Sequence, residues 1–237
     1  MLCIILLIGL IGYMATNQHF IESSEFLRYL SRRPRTEERL PALAQLSREL
    51  GISVGALREQ LEVARALGLV DVRPGTGMRR RPYSFAPAVR HSLRYALALE
   101  NDNFQKFAAL RNHLEIAYWD EAVRTLTAED KAELQAIVAR ARAKLSRRPV
   151  QVPHEEHRQL HLLIYSRLEN PFVSGILEAF WDAYEAVGLN MYTGDIQYLQ
   201  EVWEFHASMV EAICTGDFAR GRESLIKHVD LLAHRPE

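Results

Sequence analysis

Apolar residues recur at helical spacing over most of the chain, and the period switches to two in one short stretch only. Phe26, Leu27 and Leu30 make a short amphipathic helix between about Ile21 and Arg32. The segment RRPRTEER breaks it, because Pro34 does not fit a helix interior. A second helix is predicted over Leu40–Leu50, with Pro41 suited to a first turn and Gly51 to its end. Ser53 is a natural N-cap for a third helix, which runs to about Leu67 and stops at Gly68. LVDVRP then reads as a strand, PGTG as a turn and MRRRPYSF as the returning strand. Residues 82–93 carry two prolines and read as a linker. From Ser92 onward the period is helical, with candidate helices at 92–100, 103–125, 128–146, 154–169, 171–189, 195–214 and 217–233. Thr127 and Asp217 are plausible helix starts, and Asn170-Pro171 separates two helices. The expected fold is mainly α: a winged helix-turn-helix with a small β-hairpin wing, followed by an all-α antiparallel bundle.

Four segments follow from this pattern. Residues 1–20 are an apolar extension and 21–85 a winged helix-turn-helix; residues 86–101 are a linker with a helix, and 102–234 an all-helical sensor. The opening run MLCIILLIGLIGYM is shorter than the ~20 residues a spanning helix needs. It has no basic n-region and no evident cleavage site, so it makes a poor signal peptide. Met14 offers an alternative start, and an artefact of start-codon choice is the preferred reading. A membrane-associated segment and a helix packed on the body stay open beside it.

Composition is that of ordinary globular material, with 48% hydrophobic and 25% charged residues among 237. The net charge of −1 hides an asymmetry. Residues 14–90 hold 13 Arg and 8 acidic residues, net +5, whereas residues 91–237 are net −6. A basic first module beside an acidic second one suits phosphate contact by the first. The two cysteines, Cys3 and Cys214, form no CxxC motif and no disulfide framework, which points to a reducing cytoplasm.

In a helix-turn-helix the second helix lies in the major groove and its first residues meet the bases. Here those residues are Ser53, Val54, Gly55, Ala56 and Arg58. The wing, with Arg73, Gly75, Gly77, Arg79, Arg80 and Arg81, would follow phosphates or reach into the minor groove. A helical hairpin with a solvated basic loop is the plainer alternative.

The segment resembles the winged-helix domain of the GntR family. Its LPALAQL, LGIS, LREQL and RPGTG stretches stand where that family carries its helix start, turn, recognition helix and Gly-x-Gly wing. Leu43-Ala44 and Val54-Gly55-Ala56 depart from it, at positions where the family commonly has polar donors. The resemblance extends to the ligand-binding class of the FadR type, whose second half is an FCD domain. The matching features are RNHLE (Arg111 to Glu115), and HRQLH with Asn170 nine residues after His161. Spacings of eleven residues from His206 to Asp217 and from Asp217 to His228 also match.

His157 and His161, at i and i+4, face the same way on a helix and suit one ion. The resemblance implies that His206 and His228 join them from two further helices, and that His157 stands where metal-binding members have Asp. Neutral imidazoles suit Zn²⁺ or Ni²⁺. Unrelated core and surface histidines are the bland alternative. Arg111 is a natural clamp for a carboxylate effector, or else a salt-bridge partner of Glu115 or Asp120. Trp119, Trp181, Tyr184, Tyr192 and Trp203 line a pocket or plain core.

The expected function is ligand-responsive transcription regulation by a cytoplasmic, nucleoid-associated protein. A homodimeric repressor would bind a double-stranded DNA operator and sense a small carboxylate at the metal, with no membrane involved. A GntR-like dimer with little specific DNA binding and a metalloenzyme of the bundle are the other readings. With neither HExxH nor paired carboxylates, no catalytic residue is assigned.

Overall fold

The computed structural model describes residues 24–34, 36–73, 77–100, 102–187 and 196–233. The apolar extension, Gly75 and Tyr192 lie outside the described residues. One compact unit runs through Ser84 and a second begins at Phe85.

Among the described residues the first unit holds three helices and a hairpin. Helix α1 is Glu25–Arg32, α2 Leu43–Leu50 and α3 Val54–Ala66; strands β1 (Val70–Arg73) and β2 (Gly77–Arg80) pair antiparallel. Ser24 caps α1, its Oγ accepting the Leu27 amide at 3.2 Å, and Ser53 caps α3 through the Ala56 amide at 3.1 Å. Between α2 and α3 the chain turns through Gly51 at φ 67°, a left-handed conformation that favours glycine. Phe26, Leu30, Leu46, Leu57, Leu61, Val70 and Met78 close the core beneath.

Helix α2 starts three residues later than its apolar pattern predicts. Leu40 stays outside the helix, and a residue before proline is disfavoured in helical geometry. Its side chain is buried and its amide donates to the Met78 carbonyl at 2.9 Å. With the Arg80 amide donating to the Glu38 carbonyl, residues 38–40 lie along β2.

The second unit is an all-α bundle of α4 (Ala86–Leu99), α5 (Asn103–Arg124), α6 (Ala128–Leu145), α7 (His154–Ile164), α8 (Pro171–Val187), α9 (Ile196–Thr215) and α10 (Phe218–Ala233). Helix α9 packs on α10 and α6, α5 on α10 and α8, and α4 on α8. Residues 86–91, expected in a linker, are the first turns of α4. Pro87 fits there because a first turn needs no amide donor, and Ala86 is fully buried. Helix α7 ends at Ile164, five residues early. Asn170 instead starts α8, its Oδ1 accepting the amides of Phe172 and Val173. Thr127 and Asp130 form a reciprocal capping box at the start of α6.

Trp119 of α5, Leu134 and Ile137 of α6, Leu160 of α7, Leu177 of α8 and Met209 of α9 are in the core. Trp119 donates its indole N–H to the Phe218 carbonyl at 2.9 Å. Its ring lies so close to α10 that a Cβ added at Gly221 would stand 2.6 Å from it. No described helix is long and apolar enough to cross a membrane.

Candidate metal centre and DNA-reading face

The histidines occupy the inward stripes of three helices: His157 and His161 on α7, His206 on α9 and His228 on α10. Their neighbours in sequence, Leu160, Ile164, Val202, Met209 and Leu225, are buried apolar residues, so packing carries the imidazoles inward with them. None of the four is more than 5% exposed. One ligand nitrogen from each lies within 4.8 Å of the others, a cluster able to hold a metal ion. Nε2 of His161 and Nε2 of His206 stand 3.1 Å apart. Two imidazoles bound at 2.0–2.1 Å to one ion would have donor atoms roughly 2.9–3.4 Å apart, so this separation fits.

Burial is the main reason that all four rings favour the neutral form. It brings His206 down to about 3 and holds the other three well below the usual histidine range, with Arg111 adding to each shift. Neutral rings keep the lone pairs that coordination needs. Neither ring nitrogen of His228 has a hydrogen-bond partner among the described residues. An unmet buried polar group costs roughly 1–3 kcal/mol, and a shared cation would remove that cost for the ring nitrogen that carries the lone pair. The donor set therefore fits a divalent ion of the Zn²⁺ or Ni²⁺ type.

Aromatic rings wall the cluster. The Trp181 ring centre is 4.8 Å from that of His157, and Trp203 is 4.8 Å from His206. Tyr184 is 6.1 Å from His157, while Trp119 belongs to the core against α10. Arg111 and Glu115 sit on α5 at i and i+4, 2% and 0% exposed. Arg111 Nε is 3.0 Å from Glu115 Oε1, the salt bridge that the spacing allows. Its guanidinium carbon lies 4.8 Å from the Phe180 ring centre and 5.1 Å from that of Trp181. Nη1 donates to Asn112, and Nη2 is buried without a hydrogen-bond partner among the described residues. Glu115 Oε1 also lies 3.1 Å from His161 Nδ1. Burial pushes Glu115 up to about 7, against the pull of Arg111. The sequence marks Glu115 as part of RNHLE and Phe180 as one more apolar residue; that Glu115 meets His161 and Phe180 meets Arg111 is long-range information.

In the first unit, Ser53, Val54, Gly55 and Arg58 are exposed along the start of α3, and Arg58 has no ion-pair partner among the described residues. The wing arginines differ from one another. Arg73 pairs with Asp71 at 2.7 Å. Arg80 turns inward, Nη1 donating to the carbonyls of Arg33 at 2.9 Å and Pro34 at 3.4 Å. Arg79 and Arg81 are exposed without ion-pair partners among the described residues, and Gly77 takes φ 77° at the hairpin end.

A family model of the FCD domain matches residues 106–231, more than half of the chain. The chain belongs to the FCD-domain class of GntR-family regulators. It is similar to the uncharacterized HTH-type transcriptional regulator YieP of Escherichia coli (strain K12), 26% identical over 182 residues that span 75% of this chain and 77% of that one. Among solved structures, Streptococcus agalactiae GntR aligns with a TM-score of 0.59 and 15% identity, over 92% of this chain and 95% of that one. E. coli McbR/YncC aligns at 0.50 and 19%, over 83% and 86% respectively. Those likenesses show the fold: a GntR/FCD regulator architecture with a candidate metal and ligand site in its bundle.

Proposed function

We propose that this GntR/FCD protein is a homodimeric, cytoplasmic transcription repressor whose operator binding answers to a small carboxylate. The observation that carries this reading is the convergence of four buried, neutral histidines inside the FCD unit. His157, His161, His206 and His228 would hold one divalent ion, Zn²⁺ or Ni²⁺, which supplies a Lewis-acidic position for an anion. Arg111 Nη2, buried and without a hydrogen-bond partner among the described residues, would donate to the same anion. Trp181, Trp203 and Phe180 keep water away and strengthen both contacts. Four imidazoles bring no negative charge to the ion, so an anionic ligand is favoured over a neutral one.

In the winged-helix unit Ser53, Val54, Gly55 and Arg58 would face base edges, and Arg73, Gly77, Arg79 and Arg81 the backbone. Arg80 joins them only by holding the wing to the end of α1. A two-fold dimer matches a palindromic operator, and the effector acts by binding one of two dimer states more tightly.

A GntR-like dimer with little specific DNA binding is the second reading. The exposed, donor-poor run Val54-Gly55 favours it. One experiment separates the two: selection of bound duplexes from a random pool, followed by titration in rising salt. The regulator enriches a palindrome and loses affinity steeply with salt. The second reading yields no enriched site.

A further inference from the structure

Arg111 and Glu115 are charged residues in a place where stability alone gives little reason to have them. A buried ion pair is often replaceable by apolar side chains without loss of stability, because desolvation offsets the attraction. The pair lies beside the histidine cluster, and its geometry distinguishes the two nitrogens of one ring. His161 Nδ1 is 3.1 Å from Glu115 Oε1, while His161 Nε2 is 3.1 Å from His206 Nε2. With Arg111 Nε 3.0 Å away favouring its ionised form, the Glu115 carboxylate only accepts hydrogen bonds, and in that form the ring proton belongs on Nδ1 and the lone pair on Nε2. Tyr165, one turn beyond His161 and just past the end of α7, donates its hydroxyl to the Glu115 backbone carbonyl at 2.9 Å. That second tie holds α7 against α5 at the level of the Glu115–His161 contact.

We propose that Glu115 is a positioning residue for the metal, committing His161 to coordinate through Nε2 and returning to the all-histidine site the negative charge its own ligands lack. The proposal rests on the metal reading above. Arg111 completes the arrangement: by sharing Oε1 it holds the carboxylate at that corner of the cluster. Histidine ligands commonly donate their second N–H to a carboxylate, and loss of such a partner weakens metal binding about 10- to 100-fold. Glu115 would be such a partner, supplied from a helix that carries none of the four ligands.

The test uses the full chain stripped of metal and titrated with Zn²⁺ against a chromophoric chelator, as wild type and as Glu115→Gln. The expected result is one Zn²⁺ per chain in both, with affinity about 10- to 100-fold lower in the variant. Nitrogen NMR of histidine-labelled, zinc-loaded wild type should show His161 protonated at Nδ1 and coordinated at Nε2. In Glu115→Gln the protonation pattern of that ring should change, which a merely structural role for Glu115 would leave in place. Equal zinc affinities, or a wild-type His161 bound through Nδ1, would overturn the proposal. If the variant does not fold, the wild-type NMR result decides alone. Wild-type protein that takes up no zinc defeats the metal reading itself, and this proposal with it.

Discussion

The two units treat polar residues in opposite ways. In the winged-helix unit, Ser24 is the one buried polar residue among those described, and the basic side chains lie mostly at the surface. In the bundle, Arg111, Glu115, Asp130, Glu156, Ser224 and four histidines are buried. An outward-facing reader meets its partner through screened, salt-sensitive contacts, whereas an inward-facing sensor works where water is excluded and each unpaired polar atom is costly. Substitutions at exposed side chains of the winged-helix unit should therefore change affinity for DNA with little effect on folding, and substitutions at the buried histidines should change stability and metal together.

The sharpest break with that contrast would come at the ligands. His206→Ala or His228→Ala is expected to abolish metal uptake, with elemental analysis falling from one ion per chain to none. His157→Asp should retain the ion. In wild type, a chelator should remove about 2.7 kcal/mol of stability for an ion present at a hundred times its Kd. Thermal unfolding with and without chelator checks this, and the alanine variants should not respond.

Arg58→Ala comes next, at about 1–3 kcal/mol of operator affinity if it contacts a base. Comparison of specific and random duplexes separates base from phosphate contact. An effect on metal content would break the contrast.

Smaller effects are expected at the wing. Arg79→Ala with Arg81→Ala should lower the slope of log affinity against log salt by roughly 1.8, from two lost phosphate contacts. Arg80→Ala should leave the slope nearly unchanged and lower stability, because its guanidinium is already committed to the carbonyls of Arg33 and Pro34. Salt titrations and denaturant curves of the three variants separate these roles.

A further test is pH. Burial holds the four histidines below the ordinary value of 6.5 in the folded protein, while the unfolded chain takes up protons near 6.5. Below that pH the unfolded state binds more protons. Stability of the metal-free protein should therefore fall as pH drops from about 6.5 toward about 3, and be flat from this source above 6.5. Denaturant midpoints across that range, for wild type and His228→Ala, test it.

Local chemistry was legible in the sequence. The Ser53 cap, the Gly51 turn, the Thr127 cap and the helical spacing of His157 and His161 each depend on residues within a few positions of one another. The all-α second half follows from its unbroken helical period. What local pattern could not show depends on distant partners. Leu40 stays outside α2, its amide proton taken by Met78, 38 residues away. Residues 86–91 are helical although two prolines flank or enter them, and Ala86 is buried in the second unit. Arg80 looks like its two neighbours until the carbonyls at the end of α1 are beside it. Glu115 looks like half of a helix-surface pair until α7 arrives with His161.

The close approach of Gly221 to Trp119 makes α10 a lever. Seven residues, two turns and roughly 10 Å of helix separate that contact from His228. A methyl group at 221 would act as a wedge at the near end. The indole, packed and tied by its N–H to the Phe218 carbonyl, has little room to yield. The displacement would be carried along the rod to the imidazole at the far end. Gly221→Ala touches none of the four histidines, yet it should weaken metal uptake if they hold an ion, so the precision of that cluster is set in part by the absence of a side chain.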